Sequence, residues 1–225
     1  MRFVPWWAVL SSGCAPLLLV GGWTLAAVVE GPGYDPVTET ISAMAADGAS
    51  GRGVLSGALV ALGVCHLVTA WGLRPAAVAG RVALGCGGLA VIGMALSPVP
   101  ESGGSLVHGW VAAVGFALMA LWPVLAAAWP GAARRGAAWP GAARRGAAQP
   151  GGVRPEAVPW GLRPALSLAV CLLMGAGAVW FLVALHRQGA AGVAERVLTT
   201  AQTAWPFAVV LSCGRRGART GSRTG

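Results

Sequence analysis

Six long stretches of the chain contain no Asp, Glu, Lys or Arg, and they constrain the fold more than any other feature. Each is close to the roughly 20 apolar residues that an α-helix needs to cross about 30 Å of hydrocarbon. We therefore predict a single all-α domain over residues 1–225, a polytopic membrane protein whose six transmembrane helices form a bundle. The predicted spans are residues 4–29, which we expect to be a retained helix, 54–73, 82–99, 108–129, 164–185 and 197–213.

The composition supports a membrane protein over a soluble one. Charged residues make up 10% of the chain, whereas about 25% is usual in soluble domains. The net charge of +9 could indicate a nucleic-acid-binding protein, but long apolar runs separate the Arg clusters, and no water-soluble basic face results. We predict membrane lipids as partners, with a membrane-protein partner as an open alternative, and no nucleic acid.

The Arg residues indicate how the chain is oriented, because short cytoplasmic segments of membrane proteins hold the positive charge. With both termini in the cytoplasm, 13 of the 16 Arg are inside, and only Arg52, Arg187 and Arg196 are outside. Every basic residue is Arg, which together with the abundance of Ala and Gly is typical of a GC-rich bacterial genome. We predict a multi-pass protein of the bacterial plasma membrane.

Two connections are long enough to have a structure or role of their own. In the first outer loop, residues 30–53, we predict a short amphipathic surface helix with Asp35 as its N-cap and Pro36 in its first turn. The fourth loop, residues 130–161, holds part of a repeated ten-residue segment, 128–137 and 138–147, and is predicted to be a disordered cytoplasmic linker. With the basic tail, residues 214–225, it supplies candidate ligands for lipid headgroups: Arg134, Arg135, Arg144, Arg145, Arg215 and Arg216.

Small residues and cysteines inside the spans have structural interpretations. Gly53, Gly57 and Ala61 predict a close helix contact on the second span, and Gly85 with Gly88 predicts another on the third. The cysteines show no disulfide or zinc spacing, and we interpret all of them as small core residues: Cys14, Cys65, Cys86, Cys171 and Cys213. Nothing in the sequence predicts a metal or a cofactor.

Polar residues within the spans are candidates for function, because burying them in a bilayer is costly. His66 lies deep in the second span, although a hydroxyl of a neighbouring helix could satisfy it. Gln202 and Thr203 belong to the sixth span, which is the most polar and is therefore predicted to face the interior. A polar cavity that reaches His66 would favour a passive transporter of small solutes or lipids.

A second set of polar residues belongs to the outer face of the predicted topology. A His, a Ser and carboxylates can supply a base, a nucleophile and a polarising group if they converge. The candidates are Asp35, Glu39, Ser42, His108 and Glu195, although His108 could be a solvated interfacial residue and Glu195 a helix cap. Because convergence cannot be read from the sequence, our leading interpretation is a non-enzymatic membrane protein that interacts with lipid or partner proteins. The alternative is a lipid- or envelope-directed hydrolase or transferase.

Short motifs along the chain resemble those of a bacterial family of six-helix membrane proteins known as "domain of unknown function 998". They are residues 34–36 with 40–42, 65–70, 108–109, 195–196 and 205–206. Residues 130–161 look like an insertion relative to this family. The resemblance implies six membrane spans and a membrane location, and it implies no activity, substrate or cofactor.

Overall fold

The computed structural model describes residues 4–97, 99–100, 105–127 and 158–221, with side chains described up to Gly214. Over these residues it contains six long helices, each of them long and apolar enough to cross a membrane. This confirms the predicted six-helix architecture. The helices are α1 (Trp6–Glu30), α2 (Arg52–Gly72), α3 (Val78–Leu96), α4 (Leu106–Ala126), α5 (Pro164–His186) and α6 (Ala191–Gly221).

The six helices form a closed ring in the order of the sequence. Each helix packs against the next, and α6 returns to pack against α1. The interior of the ring is therefore reached by side chains from nearly every helix. The most buried span is α6 and the least buried is α5, as expected from the polar residues of α6.

Two predicted helix starts are wrong, and charged residues explain both. Helix α3 begins at Val78 and includes Arg81, whose Nε and Nη2 donate to the carbonyls of Ala70 (2.8 Å) and Trp71 (3.0 Å) at the end of α2. Helix α6 begins at Ala191, before Glu195 and Arg196. Charged side chains near a membrane surface can find polar partners, so a membrane helix can extend past them. A span defined by the absence of charge ends at such residues and is therefore too short.

The backbones of α2 and α3 approach each other closely at Gly63 and Gly88. A Cβ atom on Gly63 would lie 2.5 Å from the carbonyl oxygen of Gly88, and one on Gly88 would lie 2.7 Å from that of Gly63. Gly53 and Gly57 have open space beside them, so the predicted close contact there is wrong. Small residues thus allow the backbones of α2 and α3 to touch. On α2 the contact lies at Gly63, the next glycine after the predicted Gly53 and Gly57.

Cysteines do not all belong to the core. Cys14 and Cys86 are exposed, and Cys65, Cys171 and Cys213 are partly buried. The interpretation of all five as core residues is therefore wrong for Cys14 and Cys86, whose helices are apolar around most of their circumference. A position on such a helix can face lipid without any change in its sequence pattern.

Three connections meet at one end of the ring, which we call the loop end. They are residues 31–51, the described residues 97, 99, 100 and 105 between α3 and α4, and residues 187–190. The first and second are joined by a parallel bridge of Ala46 with Val99, in which the Asp47 N–H donates to the Val99 carbonyl at 2.7 Å. The grouping agrees with the predicted topology, which places all three connections on one side of the membrane.

The helix in the first loop is shorter and later than predicted. It is a 3₁₀ helix, Ile41–Ala45, which we call the loop helix, and its Ile41, Met44 and Ala45 are buried against α1 and α2. Asp35 caps a turn instead of a helix: its carboxylate accepts from the N–H of Val37 (3.0 Å) and the hydroxyl of Thr38 (2.7 Å). The apolar residues therefore cover the ring interior, while Val37 is exposed.

Several predictions fall on parts of the chain that the structure does not describe. The repeated segment and most of the predicted linker lie outside the described residues, as do Arg134, Arg135, Arg144 and Arg145. Helix α6 continues to Gly221 and so includes the start of the predicted basic tail, but the side chains of Arg215 and Arg216 are not described. Their binding of lipid headgroups stays a prediction.

Candidate functional site

The loop end brings together Ser42, His108 and Glu195, which the sequence places far apart. Ser42 is the second residue of the loop helix, His108 lies in the first turn of α4, and Glu195 lies in the second turn of α6. The side chain of His108 is 8% exposed and that of Glu195 is 5% exposed, whereas Ser42 is half-buried. Of the predicted catalytic candidates, these three converge.

His108 is oriented by two contacts and paired with Ser42 by a third. The backbone N–H of His108 donates to the Ser105 hydroxyl at 3.2 Å, and Ser105 thereby caps α4. Its ring Nδ1 lies 2.8 Å from the carbonyl oxygen of Ser97, and its Nε2 lies 3.4 Å from the Ser42 hydroxyl. Because a carbonyl oxygen only accepts, Nδ1 carries the proton, and Nε2 of the neutral ring is an acceptor for Ser42.

Glu195 fixes the start of the loop helix. Its Oε2 accepts a hydrogen bond of 2.5 Å from the N–H of Ile41, an amide that has no partner inside the loop helix. Glu195 therefore binds the residue that directly precedes Ser42 in the chain. The interpretation of Glu195 as a cap of its own helix is wrong, because α6 begins at Ala191 and Glu195 binds a different segment of the chain.

Arg196 holds the segment before the loop helix. Its Nη1 donates to the carbonyls of Pro36 (2.8 Å), Glu39 (3.3 Å) and Gly192 (2.9 Å), and its Nη2 donates to the Tyr34 hydroxyl at 2.6 Å. The same guanidinium lies over the aromatic rings of Tyr34 (5.7 Å) and Trp23 (5.8 Å).

The loop approaches α6 as closely as backbone atoms allow. A Cβ atom on Gly192 would overlap the carbonyl oxygens of Glu39 and Pro36. The N–H of Val193 donates to the Val37 carbonyl at 3.2 Å, and the Tyr34 hydroxyl donates to the Thr40 carbonyl at 3.0 Å. The first two turns of α6 therefore act as a docking surface for residues 34–41.

Asp35 and Glu39, the other two catalytic candidates, are exposed and stabilise the loop locally. The Thr38 hydroxyl and the Val37 N–H hold the pKa of Asp35 below its usual value. Glu39 accepts at 3.4 Å from the N–H of Asp35. Neither carboxylate contacts His108 or Ser42 among the hydrogen bonds of the described residues, so the structure does not bring them into the site.

A second polar feature lies at membrane depth, inside the ring. His66 is 1% exposed and lines a cavity of about 60 Å³ together with Gln202 and Thr203. Gln202 and Thr203 are buried, as predicted for a span that faces the interior. Both ring nitrogens of His66 lack a hydrogen-bond partner among the described residues, which contradicts the alternative that a neighbouring hydroxyl satisfies this side chain.

The residue-by-residue search for catalytic candidates missed Tyr34, Arg196 and the Ser97 carbonyl. Tyr34 and Arg196 belong to the motifs that resemble the family, and this resemblance is the sequence signal that could have identified them. The Ser97 carbonyl belongs to the backbone and has no sequence pattern. Two of these motifs, residues 34–42 and 195–196, lie far apart in the chain but contact each other in the structure.

Comparison with known proteins gives a family and no activity. No curated protein and no solved structure matches the chain. One family model, described as "Protein of unknown function (DUF998)", matches residues 13–149. This is more than half of the chain and includes Ser42, His66 and His108, while Glu195 and Arg196 lie beyond it. The chain is therefore a member of the DUF998 family of proteins of unknown function.

Proposed function

We propose that this protein is a membrane-embedded hydrolase or transferase that cleaves an ester of a lipid or envelope component at the loop end. The loop end faces outward in this proposal, as the Arg distribution predicts. Ser42 is the nucleophile and His108 is the base. The observation that carries the proposal is the chain of contacts from Ser42 through His108 to the Ser97 carbonyl.

The contacts supply a nucleophile, a base and a carbonyl that orients the base. The Ser42 hydroxyl attacks the ester carbonyl carbon, and its proton passes to Nε2 of His108. The ester C–O bond then breaks, and the leaving alcohol takes that proton from His108. Water or a second alcohol attacks the acyl-serine by the same route, which regenerates Ser42. The Ser97 carbonyl keeps the proton on Nδ1 throughout, so that Nε2 faces the serine.

The distance of 3.4 Å between Ser42 and His108 is longer than an ordinary hydrogen bond. Catalytic hydrogen bonds are often long in the absence of substrate and shorten when it binds. From α6, Glu195 holds the start of the loop helix through a buried hydrogen bond, and Arg196 holds the segment before it, so Ser42 has a fixed position although it belongs to a loop. We assign both as positioning residues.

The surroundings of His108 favour a lipid substrate. Leu106, Val107 and Trp110 flank it on α4 and are 85%, 64% and 72% exposed. Trp is enriched where a membrane meets water, and large exposed apolar side chains next to it indicate a lipid-facing surface. An ester group of a membrane lipid lies at this depth, close to the headgroup.

A serine-directed fluorophosphonate probe tests the proposal on the full-length protein in lipid nanodiscs. We expect Ser42 to be labelled, labelling to disappear in Ser42→Ala, and the rate to fall by about 10² or more in His108→Gln, as is usual on removal of a general base. Ser50→Ala is the matched control, because Ser50 is an exposed serine of the same loop. Equal labelling of Ser42→Ala and the native protein would overturn the assignment of Ser42.

A lipid profile of a deletion strain supplies the cellular test. The strain is complemented with native protein, Ser42→Ala, His108→Gln or Ser50→Ala at equal membrane abundance. We expect the native protein and Ser50→Ala to restore a changed lipid and the other two variants to fail. Restoration by all four proteins would favour the non-enzymatic interpretation, in which the loop end binds lipid or a partner without chemistry.

A further inference from the structure

The cavity at His66 has hydrogen-bonding capacity that no described residue uses. A neutral imidazole offers one N–H donor and one acceptor nitrogen, and here neither is paired. A buried polar group without a partner is energetically unfavourable, which makes such groups rare in native proteins. Because His66 borders this cavity, a molecule bound in it can supply the missing partners.

The other polar residues of the cavity add acceptors. The side-chain Nε2 of Gln202 donates to the Phe116 carbonyl at 3.1 Å, and nothing in the described part of the chain donates to its carbonyl oxygen. The hydroxyls of Thr199 and Thr203 donate to backbone carbonyls at 2.8 and 2.9 Å, so their oxygens can still accept. A guest therefore meets several acceptors and the single donor of His66.

The walls and the volume limit what the guest can be. The remaining lining residues are apolar or Gly, and none of the lining residues carries a carboxylate, ammonium or guanidinium group. An ionic guest would have no counter-charge in this low-dielectric interior. A cavity of about 60 Å³ has room for a few water molecules or for a solute of a few non-hydrogen atoms.

We propose that this cavity binds a small uncharged molecule that both donates and accepts hydrogen bonds. Its main partners are the His66 ring and the side-chain carbonyl oxygen of Gln202. Water and a small alcohol or amide share this chemistry. The proposal is independent of the catalytic assignment at the loop end, because none of the lining residues belongs to that site.

The test uses the full-length protein in lipid nanodiscs, labelled with ¹⁵N-histidine. The chain holds three His, so His108→Gln and His186→Gln assign the His66 signals. Magnetisation transfer from water to the His66 ring proton in plain buffer identifies water as the guest. A saturable shift of the His66 ring nitrogens with formamide, in the absence of that transfer, identifies a small solute. The absence of both signals would overturn the proposal.

Two threonines of α6 provide a matched pair of variants. Thr203 lines the cavity and Thr200 does not, while both donate to a backbone carbonyl one turn earlier. Replacement by Val keeps the shape and removes the hydroxyl. We expect Thr203→Val to shift the His66 ring nitrogens and weaken the guest signal, and Thr200→Val to leave both unchanged. Equal effects of the two variants would also overturn the proposal.

Discussion

The loop end and the interior of the ring use polar side chains in opposite ways, although helix α6 supplies both. At the loop end, Arg196 donates to three carbonyls and a phenol, and Glu195 accepts the amide of Ile41. Two turns further along α6, Gln202 faces a cavity in which His66 has no partner among the described residues. Partnered polar groups hold a loop in place, and unpartnered ones provide a binding site.

The spacing of polar residues on α6 explains how one helix serves both regions. Glu195, Thr199, Gln202 and Thr203 follow each other at i, i+4, i+7 and i+8, which places them on one face of an α-helix. That face begins at the docked loop and continues into the cavity. The loop end should therefore be sensitive to the loss of any single partner, whereas the interior should respond to what is bound in it.

The largest effect is expected from Glu195→Leu. This change leaves the buried Ile41 N–H without an acceptor, at a cost of up to about 3 kcal/mol in the free energy of unfolding. Chemical denaturation in micelles measures it, and hydrogen exchange should accelerate at Ile41. Glu39→Gln, on an exposed carboxylate of the same loop, is the control and should change the free energy by less than about 0.5 kcal/mol. Equal stability of the two variants would show that the loop end does not depend on Glu195.

Smaller changes in the free energy of unfolding are expected from Gly192→Ala and Gly57→Ala, and the two changes should be opposite in sign. Gly192→Ala places a methyl group against the carbonyls of Pro36 and Glu39, and the loop must shift, with a net cost of about 1–2 kcal/mol. Gly57→Ala meets open space in the interior of α2 and should stabilise the protein by up to about 1 kcal/mol through its helix propensity. Denaturation of both variants measures the difference. A Gly192→Ala protein as stable as Gly57→Ala would contradict tight docking of the loop.

The sequence predicted the six helices well because length and freedom from charge are what a membrane span requires. It placed the start of α6 too late, since Glu195 and Arg196 were treated as limits of the span, and only the folded loop shows that they have partners. The loop helix was predicted too early for a related reason. Asp35 and Pro36 are typical of a helix start, but here they form a turn, and residues 34–41 are bound to α6.

The candidate site was predictable in its residue types and not in its geometry. Ser42, His108 and Glu195 could be chosen as polar residues of one face, but Asp35 and Glu39 met the same criterion. Which of the five converge depends on how residues 34–42 cross the end of the ring. His66 was predictable as an intramembrane polar group, whereas its lack of a partner depends on where the side chains of four other helices lie.

The smallest effect concerns Tyr34, and the composition of the chain makes it measurable. Burial raises the pKa of Tyr34 above 10, and the hydrogen bond and charge of Arg196 act in the opposite direction. A pKa that is higher in the folded state contributes stability that is fully present below pH 10 and is lost as pH rises through the folded pKa. Ionisation of Tyr34 should therefore loosen the loop only above pH 10.

Because Tyr34 is the one Tyr of the chain, phenolate absorbance reports its ionisation alone. We expect a titration midpoint above 10 in nanodiscs and a return to about 10 in Glu195→Leu, if release of the loop exposes the phenol. Tyr34→Phe removes the contact with Arg196 and the hydrogen bond to the Thr40 carbonyl, at a cost of about 1 kcal/mol at neutral pH, and should lose less stability than the native protein above pH 10. A native midpoint at or below 10 that stays unchanged in Glu195→Leu would mean that water reaches Tyr34 freely. The contrast between a docked loop end and an open interior would then have to be abandoned.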